Sequence, residues 1–491
     1  MRAEATASEV RGTVKKPVRL ISGVHVVSVS LKPGRCLHGR CLYCPGGEDQ
    51  GTPQSYLSGS PTIARAIPLD YDPWKQVHYR LSQYVAMGHE PTKIELIILG
   101  GTFLAYPRSY LEWFVKSCFE AMNHFPKPKP PRLGTPLSHA HAQNEKAKVR
   151  CVGLTVETRP DLVTPESIDF LLKLGTTRVE IGVQTVYDDV LERVKRGHTV
   201  ADVIRATKLL KDAGLKVCYH MMPGLPGSDE RRDMEAFRAI FSREEFKPDM
   251  LKIYPTLVIP GTELYEMWKR GEYEPLSTEK AVELVAKVKA MVPYWVRINR
   301  VQRDLPVSAV AAGVDKGNLR QLVKEYMERR GMECRCIRCR EVGHKLLKGE
   351  VSLEELESAE AKLFAEKYEA SGGLEYFLSF ETDGRKVLFG FLRLRKPSED
   401  MFRPEVDERT VFVRELHVYG PEVPVGRKAG KVAVQHKGYG RKLMEEAEKI
   451  AAEELDAKKV LVTSGVGVRA YYRKLGYRRY RNSFYMAKRL S

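Results

Sequence analysis

The chain has 491 residues, more than one core normally organises, so two or three domains are expected. No apolar run approaches the roughly 18 residues of a membrane span, and the start of the chain lacks a signal peptide's charged end, apolar stretch and cleavage site. This argues against an integral membrane or secreted protein and predicts a cytoplasmic one with reduced thiols, while the net charge of +18 points to a polyanionic partner against the plainer reading of a basic surface.

In chain order, residues 1–19 read as a short basic arm carrying Lys15, Lys16 and Arg19. Residues 20–301 alternate β-branched runs (GVHVVSVSL, IELIILGG, CVGLTVE, RVEIGVQT, KVCYHMM, LKIYP) with helical patterns at 72–87, 109–122, 165–174, 200–213 and 229–241. Strands spaced by helices predict a parallel α/β sheet forming a full or partial TIM-like barrel. Pro126 to Lys148, rich in Pro, Lys and Ala without periodicity, reads as a mobile surface insertion. A linker over 302–350 carries a basic helix and a second cysteine group. Residues 351–491 form an α+β domain. It is expected to start with a helix over SLEELESAEAKLFAEKYE and to continue with strands in EYFLSFE, VLFGFLRLR and TVFVRELHVYG. A Gly turn then leads into a long helix, and KVLVTS returns to strand.

Six of the nine cysteines fall in two tight groups, which suits metal sites better than disulfides. Cys36-x4-Cys41-x2-Cys44 supplies three thiolates from one loop after a strand, the donor set of an iron–sulfur cluster with one iron left open. His38 inside the loop keeps a zinc site in play. Polar groups then recur at strand ends, in ILGGT, VETRPD, IGVQT and YHMMPGLPG, where barrel residues usually serve function. Cys334, Cys336 and Cys339, with His344 five residues on, could make a structural zinc site bracing two domains; the fourth ligand could also be water or a distant residue, and unligated cysteines are the alternative. The loop from Gln435 to Gly440 opens a helix after a strand, an arrangement that presents amides to a pyrophosphate. Arg469 to Arg489 contains no acid and interleaves tyrosine with arginine, as a phosphate-neutralising, base-stacking surface would; Arg478, Arg479 and Arg481 are its candidate contacts, beside Lys15 and Lys16.

The first loop resembles the radical S-adenosylmethionine (SAM) motif with one extra residue in its first gap. The second half resembles the acetyl-CoA motif of GNAT acetyltransferases. With YCPGG, PQSY, GGTF, ETRPD, EIGVQT, RGHTV, YPTLVIPGTELY and RELHVYG all present, the chain from about residue 18 onward is similar to the Elongator catalytic subunit family of tRNA uridine acetyltransferases. That resemblance implies a 4Fe-4S cluster on Cys36, Cys41 and Cys44. It implies SAM on Gly100, Gly101, Thr102, Glu157, Arg159, Gln184 and His220. Acetyl-CoA would lie on Lys93, Glu415, Leu416, His417, Val418, Gln435, Lys437, Gly438, Tyr439, Gly440 and Arg441, with Tyr472 protonating the leaving thiolate beside Tyr471. The implied reaction adds the acetyl-CoA methyl carbon to C5 of the tRNA wobble uridine, giving 5-carboxymethyluridine, with a reductant for the cluster, a second copy or Elongator-type subunits as further partners. An amine acetyltransferase or a non-catalytic tRNA-binding scaffold would be the other readings; the intact thiol triad argues against both.

Overall fold

The computed structural model describes residues 23–131, 134–420, 438–481 and 483–490; the basic arm, with Lys15 and Lys16, and Gln435 and Lys437 of the Gly loop lie outside them. Seven strands form a first sheet in simple chain order: β1 (His25–Ser30), β2 (Lys93–Leu99), β3 (Arg150–Thr158), β4 (Arg178–Gln184), β5 (Lys216–Met221), β6 (Met250–Ile253) and β7 (Arg297–Arg300). Every neighbouring pair is parallel. The predicted helices lie at Pro73–Ala86, Arg108–His124, Pro165–Leu174, Val200–Asp212 and Glu230–Ser242. Four of them start at side-chain caps: Asp72, Thr164, Thr199 and Asp229 each accept a backbone N–H of the first turn. β7 escaped the sequence reading because RINR is short and puts polar residues on the face that a buried strand would make apolar.

Among the described residues β1 and β7 do not pair, so the barrel is partial and open along one side. The parallel order puts all strand C-termini at one end, the mouth, where the first cysteine loop sits. The N-termini face the second domain. Its sheet runs β13-β14-β12-β11-β10-β9-β8, with β8 (Lys362–Ala370), β9 (Gly373–Glu381), β10 (Leu388–Lys396), β11 (Thr410–Val418), β12 (Lys459–Val462), β13 (Arg478–Arg479) and β14 (Met486–Arg489). The helix Tyr439–Glu453 crosses between β11 and β12, the one parallel pair of this sheet among the described residues.

Two expectations need correction. The helix read into SLEELESAEAKLFAEKYE stops at Ser358, and Lys362–Ala370 is an edge strand fully registered with β9. Glu, Lys and Ala gave that stretch a helical composition, but pairing with a strongly apolar neighbour decides its state. The presumed mobile insertion holds a helix, Leu137–Asn144, that buries Leu137, Ala140 and Asn144. Asn144 fastens it: its amide donates to Asn123 Oδ1 at 2.7 Å and to the Val149 carbonyl at 3.1 Å, and its Oδ1 accepts the Cys151 N–H at 2.8 Å.

The two domains are joined through a buried ionic layer. Arg414 donates to both Asp249 oxygens (2.6 and 2.8 Å) and to Glu375 (2.8 Å). Arg395 bridges Asp212 (2.5 Å) and Glu375 (3.1 Å), while Arg393 reaches Glu415 (2.9 Å) and the Trp295 carbonyl (2.7 Å). Gly465 lies against β3 so closely that a Cβ there would stand 2.1 Å from the Val152 carbonyl oxygen.

Candidate active site: two abutting cavities

The thiol loop is held from several directions. Gln54, in PQSY, accepts the Cys36 N–H at 2.7 Å and donates to the Gly39 carbonyl at 3.1 Å, closing the loop on itself. Cys36 Sγ lies 3.1 Å from Thr102 Oγ1, and Cys44 Sγ lies 3.1 Å from Ser55 Oγ. Arg196 points Nη1 at Cys41 Sγ (3.7 Å) and donates through Nη2 to the Gly182 carbonyl (3.0 Å). A side chain at position 182 would collide with that guanidinium, its Cβ 2.3 Å from Nη2. Cys41 and Cys44 are buried, and burial together with the neighbouring Cys41 sulfur pushes the Cys44 thiol up to about 11. Among the described residues, the groups of three or more ligand atoms within 4.8 Å of one another are Cys334/Cys336/Cys339 and Glu180/Cys218/His220. The three loop thiols are spread wider. That separation suits a multi-iron body and not one ion, and His38, although its Nε2 is 3.2 Å from Cys41 Sγ, joins no such group. Buried polar atoms without partners belong to residues that line the same cavity as Cys41 and Cys44: Gln184 Oε1, Thr158 Oγ1, Arg196 Nε and Arg303 Nη1. Such orphans are rare in a finished interior, and they fit a bound cluster and polar cosubstrate.

Below the loop a cavity of about 620 Å³ occupies the barrel interior and runs to its open side. Its wall includes Gly101, Glu157, Gln184 and His220 of the expected SAM residues. Gly101 has φ +74° and passes within contact of Gln54, where a Cβ would sit 2.6 Å from the Gln54 carbonyl oxygen. Glu157 accepts the Tyr56 hydroxyl at 2.6 Å and lies 3.4 Å from Lys252 Nζ. Lys252 also pairs with Glu180, which bonds His220 Nε2 at 2.8 Å. The ammonium on Glu180 already fills the place of a cation in the Glu180/Cys218/His220 group. Arg159 differs from expectation: it is fully buried and spends its guanidinium on Asp161 (3.0 Å) and on the Arg196 and Gly197 carbonyls (2.6 and 2.9 Å). It is absent from the cavity wall and shapes the loop that carries Arg196. Gly100 packs on Leu31. Arg65 and Arg80 stand on one lip of the open side and Arg300, Arg303 and Arg338 on the other, a basic cleft that sequence reading missed because its members come from unrelated segments.

A second cavity, about 690 Å³, lies between the barrel's N-terminal end and β11. Lys93, Glu415, Leu416, His417, Val418, Gly438, Gly440, Arg441, Tyr471 and Tyr472 all line it. β11 is registered with β12 only from Thr410 to Val413, so the sheet parts where the cavity opens. Gly438 begins the long helix at φ +78°, and a Cβ at Gly440 would meet Tyr471 Oη at 2.8 Å. Burial pushes the Tyr472 phenol up, keeping it protonated. Thr463 and Ser464 line the same space with hydroxyls that lack partners, as a polar ligand would require. Tyr439 is the exception: it packs on Phe380 and Phe389 at ring distances of 4.9 and 5.8 Å and belongs to the core. Lys216, also on the wall and pushed down by burial, was not anticipated.

In the linker the Cys334, Cys336 and Cys339 sulfurs converge within 4.8 Å, a spacing one ion can bridge. His344 is not with them; its ring is 3.9 Å from Glu341 and lines the barrel cavity. Arg478, Arg479 and Arg481 are exposed on the edge of the second sheet, away from both cavities. Much of the basic tail around them is already engaged: Arg469 and Arg473 pair with Glu145, and Lys488 pairs with Glu448.

Comparison with known proteins matches the Radical SAM superfamily model to residues 32–240, the Radical_SAM C-terminal domain to 248–329 and the acetyltransferase (GNAT) family to 345–477. The tRNA uridine(34) acetyltransferase of Methanocaldococcus jannaschii is 52% identical over 95% of this chain and 84% of its own length. Elongator complex protein 3 of Homo sapiens is 45% identical over 94% of this chain and 84% of its own. The solved structure of the archaeal Methanocaldococcus infernus Elp3, with residues 1–46 deleted, superposes with a TM-score of 0.82 at 48% identity, over 96% of this chain and 100% of that one. The chain therefore belongs to the family of tRNA uridine(34) acetyltransferases and Elongator complex protein 3, a radical SAM domain followed by a GNAT acetyltransferase domain.

Proposed function

We propose that this enzyme joins the methyl carbon of acetyl-CoA to C5 of the wobble uridine of tRNA, yielding 5-carboxymethyluridine after thioester hydrolysis. One observation carries the reading: a thiol-loop cavity and a GNAT cavity abut inside one rigidly bridged chain, sharing Glu95, Arg178 and Arg297 in their walls. Ordinary acyl transfer needs only the second cavity. Cys36, Cys41 and Cys44 would hold a 4Fe-4S cluster, which would supply the electron for reductive cleavage of SAM and so the radical chemistry that an unactivated methyl group requires.

The chain's own residues then have separate tasks. Arg196 faces Cys41 Sγ and Thr102 steadies Cys36 Sγ, while Gly101, Glu157, Gln184 and His220 provide close approach and polar contacts for SAM. Lys93, Gly438, Gly440 and Arg441 hold the CoA phosphates and arm, and β11 runs beside the pantetheine. Tyr472, kept protonated by burial, delivers its proton to the departing CoA sulfur, and Tyr471 closes the wall beside it. The basic cleft admits an anticodon base flipped from its loop, which costs little because such bases are partly unstacked. Arg478, Arg479 and Arg481, with Lys15 and Lys16, add phosphate contacts elsewhere on the tRNA. Zinc on Cys334, Cys336 and Cys339 braces the linker. The same reading places the enzyme in a reducing, cytoplasmic setting, where thiols stay available as metal ligands and a one-electron donor is at hand. Assembly with a second copy or with Elongator-type subunits is part of the same reading.

The test is anaerobic reconstitution with iron and sulfide, followed by nucleoside mass spectrometry of tRNA incubated with SAM and acetyl-CoA. The expected product is carboxymethyluridine, absent in Cys41→Ala, which should still bind acetyl-CoA. Product formation by Cys41→Ala lacking iron overturns the radical reading.

A further inference from the structure

The two cavities meet at an ion pair. On β2 the residues of one face read Lys93, Glu95, Ile97, Leu99. Lys93 lines the GNAT-side cavity, Ile97 and Leu99 line the cluster-side cavity, and Glu95 lines both. On β4, Arg178 lines both while Glu180, Gly182 and Gln184 belong to the cluster side. Glu95 and Arg178 form a salt bridge across the boundary. A strand rises about 3.3 Å per residue, so the path from Lys93 to Leu99 is on the order of 20 Å, and this pair stands part-way along it.

The partners are unequally held. Arg178 is buried, also has Glu180 at 3.3 Å, and rests Nη1 on Met250 Sδ at 3.7 Å. Arg297, the third shared residue, is fixed by Glu341 (2.8 Å) and the Tyr419 hydroxyl (2.9 Å). The Glu95 side chain is 23% exposed, the most open of the pair, and its register partner on β3 is Gly153. A Cβ at Gly153 would sit 3.8 Å from Glu95 Cγ and 3.5 Å from Thr177 Oγ1, so the missing side chain leaves room beside Glu95 on the GNAT side. When Glu95 moves, Arg178 still has Glu180, a carboxylate it shares with Lys252, at 3.3 Å, so opening does not leave its charge alone.

We propose that the Glu95–Arg178 pair is a gate between the two cavities, with Glu95 swinging into the space beside Gly153 to let the acyl end of an acyl-CoA pass toward the cluster side, and that its width selects a short acyl group. This rests on the reaction proposed above, and the tests separate the two. The first uses cluster-free, full-length protein and calorimetric titration with acetyl-CoA and butyryl-CoA. Glu95→Ala, which removes the gate's moving part, should raise the relative affinity for butyryl-CoA by roughly threefold or more. The second uses reconstituted enzyme with trideuterated acetyl-CoA, reading deuterium in 5′-deoxyadenosine. Gly153→Val, whose Cβ would stand at ordinary contact distances and whose methyl groups would occupy the swing space, should leave SAM cleavage running while deuterium transfer falls by about tenfold. An unchanged acyl ratio in folded Glu95→Ala, or wild-type deuterium transfer in Gly153→Val, overturns the gate. Should Gly153→Val fail to fold by its melting curve, the acyl ratio decides alone. Deuterium-free 5′-deoxyadenosine from the wild type overturns the proposed reaction instead, and the gate is again decided by the acyl ratio.

Discussion

Gln54 shows how much of the thiol loop's shape rests on residues other than its cysteines. Its amide ties Cys36 N–H to the Gly39 carbonyl, and each such bond is worth about 1 kcal/mol net. The loop is local, so Gln54→Ala should lower the melting temperature of cluster-free protein by only a few degrees. Iron retained after gel filtration of reconstituted protein should fall by half or more; full retention would show that the cysteines alone define the loop. Gly182→Ala makes a complementary case. The new Cβ displaces Arg196 from Cys41, so tRNA modification should drop by about tenfold while acetyl-CoA affinity, set in the other cavity, stays put. Both are visible only in three dimensions. The thiols announce themselves by spacing, whereas Gln54 and Arg196 act from 18 and 155 positions away.

Elements were legible where one period dominated the local sequence. β1 to β6 and the capped helices have apolar runs or amphipathic faces that hardly depend on context. Lys362–Ala370 does depend on it: its composition favours helix, and only pairing with β9 makes it a strand. Leu137–Asn144 was hidden for another reason, since His, Ala, Gln and Asn carry a weak apolar period and the helix is held by polar bonds from Asn144. That makes Asn144 a sharp test. Replacing it with Ala leaves the buried Cys151 N–H and Val149 carbonyl without their partner, and each unsatisfied group costs about 1–3 kcal/mol. Asn144→Ala should therefore cost about 2–4 kcal/mol in urea unfolding. A change under about 0.5 kcal/mol, the size of a neutral surface substitution, would mean that the helix is the loose insertion its composition implied.

At the scale of the whole molecule, charge has separate uses inside and outside. Inside, Arg393, Arg395 and Arg414 fix the GNAT domain to the barrel. Burial alone would raise the Asp249 pKa, but Arg414, then Arg393 and Lys211, hold it well below its ordinary 3.8. A depressed folded pKa means that the unfolded chain takes up the proton first as pH falls. The contribution is thus complete above the ordinary carboxylate range and drains away below it. Asp249→Asn should destabilise at pH 7 by about 3 kcal/mol, because it breaks a buried pair and leaves Arg414 with Glu375 and Arg393 with Glu415 as their remaining carboxylates, and should flatten the loss between pH 5 and 3. Urea midpoints measured across that window read both effects.

Outside, two groups of arginines lie on surfaces that the fold holds apart. Arg65 and Arg300 stand on opposite lips of the barrel's open side, within the wall of the cluster-side cavity. Arg478 and Arg479 lie on the edge strand of the other sheet. If tRNA spans both, their variants must differ in kind. Reversing Arg478 and Arg479 leaves phosphates remote from the chemistry without their cations. Affinity should fall by a similar factor for every tRNA, the slope of log K against log salt should become shallower by about 0.7–0.9 for each phosphate no longer neutralised, and turnover at saturating tRNA should hold. Reversing Arg65 and Arg300 should also weaken binding, but turnover should fall with it at saturation, because the target base would no longer be drawn through the cleft to the cavity where hydrogen is removed. Filter binding at several salt concentrations and single-turnover modification separate the two patterns. Equal effects of both pairs on turnover would place the edge arginines at the site itself, and no effect of the edge pair on affinity or salt slope would leave the cleft as the surface that reads the tRNA backbone.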